Sequence, residues 1–224
     1  MKKIILIFAI IIGTSVLLVA QDFKPVAGQL AAEVNFTPLS TTPIGLNYLK
    51  ARYNLGDGIV VRIGVDIRTH SEKSEPINEF DPDITDEQKM SYSQFGLYPG
   101  IEKHFGNLER LSPYVGAQIG FVTKSSKSSY TDNNADATTE SKGAWLNGSN
   151  RGYTSIGLNL LAGVDFYITR NLYLGTEIGF GFNSTTYKEV EVTMGSTTTT
   201  TDVKDSSSGI GFTYNPAIRL GFWF

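Results

Sequence analysis

The sequence alternates between apolar and polar positions in eight separate segments, and this period of two constrains the fold more than any other feature. The clearest case is the last fifteen residues, Ile210 to Phe224. One face of this segment carries Ile210, Phe212, Tyr214, Pro216, Ile218, Leu220, Phe222 and Phe224. Because successive side chains of a strand point to opposite faces, the pattern predicts a long strand with one apolar face.

Seven earlier segments repeat the pattern, and each is long enough for the ~9 to 11 residues of a tilted membrane strand. They are Val26–Phe36, Ile44–Leu55, Ile59–Thr69, Tyr92–Phe105, Tyr114–Lys124, Tyr153–Ile168 and Leu172–Tyr187. The second is the least regular, because Leu46 and Tyr48 fall in phase with Lys50 and Arg52. Either a β-bulge or a misplaced boundary would explain this irregularity.

The connections between these segments alternate in length. The short ones are Gly56–Gly58, Gly106–Ser112 and Thr169–Asn171, and the long polar ones are Ser71–Ser91, Ser125–Gly152 and Lys188–Ser208. Short turns at one end and long loops at the other are typical of outer-membrane barrels. The sequence therefore predicts an all-β fold, an eight-stranded antiparallel up-and-down transmembrane β-barrel.

Two of the long connections leave alternatives open. Lys188–Thr193 still alternates and is followed by a candidate turn at Met194–Ser196, so this connection is either a protruding hairpin or disordered. If part of Ser125–Gly152 pairs as a further hairpin, the barrel would have ten strands.

The first twenty residues have the pattern of a secretory signal peptide. Lys2 and Lys3 precede an apolar run from Ile4 to Val19, and Ala20 is small enough for a cleavage site. We expect residues 1–20 to be this signal and residues 21–224 to be one barrel domain. An uncleaved anchor is the competing interpretation.

The overall composition excludes several classes of protein. There is no cysteine, which excludes disulfides, thiolate metal sites and a lipid-modified amino terminus. Acidic residues outnumber basic ones, 22 against 19, so the net charge gives no reason to expect a nucleic-acid partner.

The polar face distinguishes a membrane barrel from a soluble barrel that binds its ligand inside. It combines charged residues with many glycines, which weaken a strand facing water but fit a crowded lumen where a large side chain meets a small one. The apolar face is nearly free of charge, as expected of a surface in contact with lipid. We therefore expect the polar face to point into the lumen.

Ten charged residues fall on this inward face, five of each sign. They are Glu33, Lys50, Arg52, Arg62, Asp66, Arg68, Glu102, Asp165, Glu177 and Arg219. Because buried charges need partners, we expect a connected ion-pair network centred on Glu33, Arg62, Glu177 and Arg219. The network either plugs the barrel or gates a narrow channel, and the bulky Tyr98, Tyr114, Tyr173 and Trp223 on the same face favour the plug.

No residue pattern predicts a catalytic, cofactor or metal site. His70 lies beside Ser71 and Glu72 at the outer end of its strand, but adjacent side chains diverge. His104 lies at the opposite end and is expected to be a lumen residue. The acidic segment Asp81–Glu87 lacks the calcium-loop pattern, so we expect it to be a solvated loop.

The signal peptide, the eight segments, the loop asymmetry and the Leu220–Phe224 ending together resemble those of small eight-stranded bacterial outer-membrane β-barrels. The membrane domain of outer-membrane protein A and outer-membrane protein X are examples. The resemblance implies a monomer in the Gram-negative outer membrane, surrounded by membrane lipid and lipopolysaccharide, with no cofactor. It also implies that Phe222 and Phe224 form the signal read by the barrel assembly machinery.

The expected function is structural or interactive, through a surface ligand bound by the extracellular loops. A narrow gated pore for ions or small solutes is the alternative, and a lipid-modifying enzyme active at the rim is the third.

Overall fold

The computed structural model describes residues 23–36, 44–106, 108–201, 205–214 and 218–224. The expected signal peptide and part of the last alternating segment, residues 215–217, lie outside these ranges. Within them there are twelve strands: β1 Leu30–Phe36, β2 Ile44–Gly56, β3 Ile59–Ser74, β4 Glu87–His104, β5 Leu111–Asp132, β6 Ala137–Lys142, β7 Tyr153–Tyr167, β8 Leu172–Tyr187, β9 Glu191–Met194, β10 Thr197–Thr200, β11 Ser206–Tyr214 and β12 Ile218–Trp223. No helix long and apolar enough to span a membrane occurs in the described ranges.

Eight antiparallel positions in the wall, which we call staves, close into a ring, and each is formed by one strand or, in one case, by two successive strands. The pairs run β1–β2, β2–β3, β3–β4, β4–β5, β5–β7 and β7–β8, and β8 then pairs with both β11 and β12, which occupy one stave. The ring closes between β12 and β1, from Ala31 opposite Trp223 to Phe36 opposite Ile218. Closure leaves no free edge along this seam, and the predicted eight-stranded antiparallel barrel is confirmed.

The barrel wall is apolar outside and polar inside. On β3, Val61, Ile63 and Ile67 are 41 to 58% exposed, whereas Arg62 and Asp66 between them are 2% exposed. Leaving one large aliphatic side chain in water costs about 1.5 to 3 kcal/mol relative to burial. The pattern repeats around the ring, so this belt is matched to lipid rather than to water.

Large and small side chains alternate inside the ring. The ring of Tyr98 lies over two glycines, where a Cβ would be 2.9 Å (Gly96) and 3.2 Å (Gly120) from its carbons. The same complementarity places Tyr48 against Gly64 and Tyr173 against Gly221. Inward glycines therefore provide space for large inward side chains, as the sequence predicted.

The irregularity of β2 is a β-bulge. Val34 of β1 pairs with Leu49, but the next residue, Asn35, pairs with Gly45. The bulge changes the phase of the strand, so Leu46 points outward at 69% exposure while Lys50 points into the lumen at 4%. The two cationic residues of β2 thus face inward even though the apolar alternation before them would place them outside.

The ends of the barrel differ as predicted, but the long connections are more ordered than their composition indicated. At the short-turn end, β2 and β3 are joined by Asp57 and Gly58, both at positive φ. At the other end β3, β4 and β5 continue well above the apolar belt, β5 and β6 form a hairpin, and β6 pairs with β9 of the β9–β10 hairpin. We call this continuation of the wall, β10-β9-β6-β5-β4-β3, the raised sheet.

The raised sheet corrects the expectation of a polar loop over Ser71–Ser91, and it shows hairpins in Ser125–Gly152 and Lys188–Ser208, where the sequence left a hairpin open. Hydrogen bonds to neighbouring strands, together with the β-propensity of threonine, order these segments without an apolar core. The turn at Gly195 exists, but its hairpin pairs with β6 instead of prolonging β8 and β11. Because β6 lies outside the closed ring, the described residues form eight staves and not ten.

The segment before β1 crosses the short-turn end. We predicted a strand from Val26, but it begins at Leu30, because Gly28 adopts φ +88° and turns the chain. Asn54 holds the segment in place, its Nδ2 donating to the carbonyl oxygens of Pro25 at 2.9 Å and Val26 at 3.1 Å.

Candidate functional site

Eight of the ten predicted lumen charges meet halfway along the barrel. We call them the central charge layer: Glu33, Lys50, Arg52, Arg62, Glu102, Asp165, Glu177 and Arg219. They come from seven strands and include four cations and four carboxylates. The layer is therefore neutral, and nearly all of its side-chain surface is shielded from solvent.

Arg52 is the hub of the layer. Its Nη1 lies 2.9 Å from Glu33 Oε1 and 2.6 Å from Asp165 Oδ2, and its Nη2 lies 2.5 Å from Glu102 Oε2. A planar guanidinium suits this task, because its donors diverge in fixed directions toward several carboxylates. One side chain thus ties together three carboxylates from three different strands.

The remaining cations bridge the same carboxylates around this hub. Arg62 Nη1 contacts Glu102 Oε1 at 2.7 Å and Glu177 Oε2 at 2.5 Å. Arg219 contacts Asp165 at 2.9 Å and Glu33 at 3.3 Å, and Lys50 Nζ lies 3.3 Å from Glu33 Oε2 and 3.9 Å from Glu177 Oε2. Every carboxylate of the layer therefore faces at least two cations, which is the compensation that charges removed from water require.

Tyrosines fill the space between the charges. Tyr114 donates its hydroxyl proton to Glu177 at 2.5 Å, and Tyr173 donates to Glu33 at 2.6 Å. The Arg52 guanidinium carbon also lies 5.2 Å and 5.6 Å from the centres of these two rings. The layer is closed by packing as well as by charge.

A second, aromatic layer lies below, toward the short-turn end. It consists of Tyr167, Tyr173 and Trp223, each at most 1% exposed, together with Phe23 from the crossing segment. The guanidinium of Arg110 covers the Phe23 ring at 4.1 Å. A solute entering the lumen from this end would meet apolar rings before it reached the charges.

Asp66 and Arg68 form a separate pair nearer the raised sheet. Arg68 Nε lies 2.9 Å from Asp66 Oδ1, and Gln94 donates to the other carboxylate oxygen at 3.0 Å. The Arg68 side chain is 52% exposed, in contrast to the members of the central charge layer. The expected ten-residue network is therefore divided into a buried group of eight and an outer pair.

The centre of the network also differs from the one we predicted. Glu33, Arg62, Glu177 and Arg219 all belong to the layer, but the hub is Arg52. The alternation of its strand is ambiguous in phase, so a central position for Arg52 could not be predicted. The bulge near Leu46 is the feature that aims it inward.

A hydroxyl, an imidazole and a carboxylate lie in a row at the lower edge of the layer. His104 Nδ1 is 2.9 Å from Ser112 Oγ, and its Nε2 is 3.2 Å from Glu102 Oε2. These residue types are found in nucleophilic relays, but here Glu102 is held by two arginines and Ser112 is only 3% exposed. We interpret the row as the lower end of the ion-pair network, beside a cavity of about 630 Å³ that opens at the short-turn end.

His70 does not form a comparable arrangement at the other rim. It stacks on Tyr92, with ring centres 5.5 Å apart, and its Nε2 lies 3.5 Å from Glu72. The neighbouring Ser71 is on the opposite face of β3. Among the described residues, no group of three or more His, Asp or Glu side chains is placed to hold a metal ion.

The acidic segment Asp81–Glu87 is not wholly solvated, which corrects our expectation. Asp86 is 1% exposed and accepts hydrogen bonds from Asn78 Nδ2 at 2.8 Å, from the Tyr130 hydroxyl and from the Asn133 amide. These donors, Asn78 first and then Tyr130, lower the pKa of Asp86 below its ordinary value. The carboxylate ties the β3–β4 connection to the β5–β6 hairpin.

Comparison with known proteins adds a family and several similar structures. The family model described as the putative OmpA-OmpF-like porin family matches residues 60–224. No curated protein matches the chain.

Three solved structures that are similar to this chain are proteins of the bacterial surface or outer membrane. Neisserial surface protein A is 18% identical over 88% of this chain and 94% of its own, with a TM-score of 0.35. The outer membrane protein AlkL is 14% identical over 93% and 95%, with a TM-score of 0.40. The outer membrane protein W of E. coli is 15% identical over 90% and 100%, with a TM-score of 0.39.

Proposed function

The chain belongs to the putative OmpA-OmpF-like porin family, and we propose that it is an integral protein of the bacterial outer membrane with a closed lumen and a role at the cell surface. The short-turn end faces the periplasm and the raised sheet faces outward, as in barrels of this architecture. Residues 1–20 direct export, the barrel assembly machinery inserts the barrel, and the protein works as a monomer among membrane lipid and lipopolysaccharide.

The central charge layer is the observation that supports a closed lumen. Water-filled channels leave charged side chains partly hydrated, whereas Arg52, Glu102 and Asp165 have no side-chain exposure. The aromatic layer beneath, with Phe23, adds a second barrier. An ion crossing this barrel would have to break several buried ion pairs, and each broken pair costs roughly 3 to 5 kcal/mol.

The raised sheet supports a role in surface interaction. It projects hydroxyl and charged side chains of six strands beyond the apolar belt. An ordered sheet presents these groups with less entropy to lose on binding than a disordered loop would. Its partner is a surface ligand, or a component of the outer membrane itself.

Planar-bilayer recording tests the closed lumen against the narrow gated pore. The parent protein should show no discrete openings, and the variants Arg62→Gln and Glu177→Gln, once shown to be folded, should behave alike. Discrete openings in the parent that vanish or change in these variants would overturn the closed lumen in favour of the gated pore.

The lipid-modifying enzyme is tested separately at the outer rim. We expect no lipid-modifying activity from the folded parent. A lipid-modifying activity of the parent that is lost in His70→Ala, when that variant is shown to be folded, would favour the enzyme.

A further inference from the structure

The outer face of the raised sheet carries a row of hydroxyl and ammonium groups just above the apolar belt. Ile67 of β3 and Phe95 of β4, which pair with each other, are the last apolar residues of their strands on this face. Four residues beyond Ile67, the register places Ser71 beside Ser91, and Ser91 beside Lys127. Lys142 on β6 follows directly opposite Lys127.

The backbone of this row lies just above the lipid headgroups, within reach of a lysine side chain. Four residues of strand extend roughly 13 Å, which is about 10 Å along the membrane normal for a strand tilted by about 40°. The headgroup region reaches about 5 to 8 Å beyond the hydrocarbon on each side. A lysine side chain can bend back by several ångströms, so both ammonium groups can reach this region.

The two lysines in this row are not in ion-pair contact with a carboxylate of the described residues. Like charges directly opposite each other destabilise a sheet, and both Lys127 and Lys142 are exposed. Among the described residues, neither forms an ion pair, although Glu191 is opposite Lys142 in the register.

Lys73 and Lys89, two residues further from the apolar belt than Ser71 and Ser91, do form ion pairs. Lys73 Nζ lies 2.7 Å from Glu87 Oε2 and 2.8 Å from Glu75, and Lys89 also pairs with Glu87. The upper lysines are thus neutralised within the protein, and the lower ones are not. The difference points to a partner outside the protein for the lower row.

The surroundings of the lower row suit a phosphate. Lys127 and Lys142 border a groove of about 610 Å³ that is also lined by the serines at positions 71, 91, 93 and 125. At its edge Lys188 Nζ donates to Ser125 Oγ at 2.7 Å and adds a third ammonium group. Hydroxyl donors and ammonium groups together satisfy the several acceptor oxygens of a phosphate monoester.

We propose that this groove binds the phosphorylated headgroup of an outer-leaflet glycolipid, of the lipid A type. Lys127 and Lys142 contact the phosphate, the serines donate to it or to the sugar, and the acyl chains lie along Ile67, Phe95 and Phe121 below. The inference rests on the outward orientation of the raised sheet in the proposed function. Lipid is preferred to soluble phosphate because the groove continues directly into the apolar belt.

The test compares the lower lysine pair with the upper one. The full chain, with the parent sequence, Lys127→Ser/Lys142→Ser or the matched control Lys73→Ser/Lys89→Ser, is reconstituted in phosphatidylcholine nanodiscs with a series of lipid A contents. Native mass spectrometry counts the lipid A that stays bound. One membrane-proximal lysine contributes about a fourfold to sixfold change in binding, so the lower pair should weaken it by roughly thirtyfold. The control should change it by less than about threefold.

Two further arms identify the ligand chemistry. Dephosphorylated lipid A should bind no better to the parent than to the lower-pair variant, and millimolar inorganic phosphate should not displace lipid A. Equal losses in both variants, equal retention of the dephosphorylated lipid, or displacement by inorganic phosphate would each overturn the proposal.

The result is separable from the closed-lumen proposal. Failure of the glycolipid site would leave the bilayer recordings silent. Openings in those recordings would leave the lysine comparison intact.

Discussion

Replacing Arg52 by alanine should destabilise the folded barrel by about 4 kcal/mol, the largest effect we expect from a single change in the lumen. Arg52 is 1% exposed and contacts Glu33, Glu102 and Asp165 within 2.9 Å. Removing one partner of a buried ion pair costs about 3 to 5 kcal/mol, because the other charge stays buried without compensation.

Although Arg52 contacts three carboxylates, the expected destabilisation is not three times the cost of one broken ion pair. After the substitution Glu102 still contacts Arg62, and Glu33 and Asp165 still contact Arg219. The remaining cost is one uncompensated negative charge in the layer plus the space left by the side chain, and it should fall near the middle of the range.

Reversible urea unfolding in phosphatidylcholine vesicles provides the assay. Tryptophan fluorescence in a Trp145→Phe background reports on the lumen, because the remaining Trp223 ring is fully buried and its centre lies 6.1 Å from that of Tyr173. The matched control is Arg68→Ala: the Arg68 side chain is 52% exposed and the buried Asp66 keeps its hydrogen bond from Gln94, so the loss should be smaller, about 1 to 2 kcal/mol.

A double variant separates charge from packing. If unbalanced charge is the cause, adding Asp165→Asn to Arg52→Ala should cost less than the sum of the two single effects, with a coupling of about 1 to 3 kcal/mol. The reasoning is refuted if Arg52→Ala and Arg68→Ala differ by less than about 1 kcal/mol, or if the double variant is simply additive.

Three other predictions concern the closing strand and the outer loops. Deleting Phe224, which is 67% exposed on the outer surface, should slow assembly into the outer membrane. The Arg219→Ala variant should assemble normally but unfold at a lower urea concentration. Membrane fractionation and heat-modified gel mobility measure the assembly of both variants. Gly221→Val should destabilise the barrel by about 3 kcal/mol, because a Cβ there would overlap the ring of Tyr173, and an unchanged urea midpoint would contradict this packing. The pKa of Asp86 is lower in the folded protein than its ordinary value of 3.8. The ionised carboxylate therefore stabilises the outer loops above pH 3.8, and this stabilisation is lost as the pH falls through the lower folded-state pKa. Hydrogen exchange in the outer loops should show this loss in the parent and no such pH dependence in Asp86→Asn.

The wall of the barrel could be predicted from sequence because its signal is local. Each stave shows its two faces in its own alternation, and the turn at Asp57 and Gly58 marks where one stave reverses into the next. The sequence predicts that the lumen combines glycines with tyrosines, but it does not predict which glycine lies against which tyrosine. Which tyrosine faces which glycine depends on the register between strands, and no single segment encodes it.

The details of the lumen and of the raised sheet could not be predicted for the same reason. Arg52 becomes the hub only because a bulge four to six residues earlier changes the phase of its strand. Asp86 is buried only because residues from the distant β5–β6 hairpin surround it. Likewise, the row of Ser112, His104 and Glu102 depends on the pairing of β4 with β5, since eight residues separate the serine from the histidine.

The closed lumen is tested most directly by locating ordered water inside the barrel in a high-resolution crystal structure. We predict two separate bodies of water, one above the central charge layer and one in the cavity near His104 at the short-turn end, with none between Arg52, Tyr114 and Tyr173. A continuous file of ordered water that passes Arg52 from one end of the barrel to the other would contradict the account.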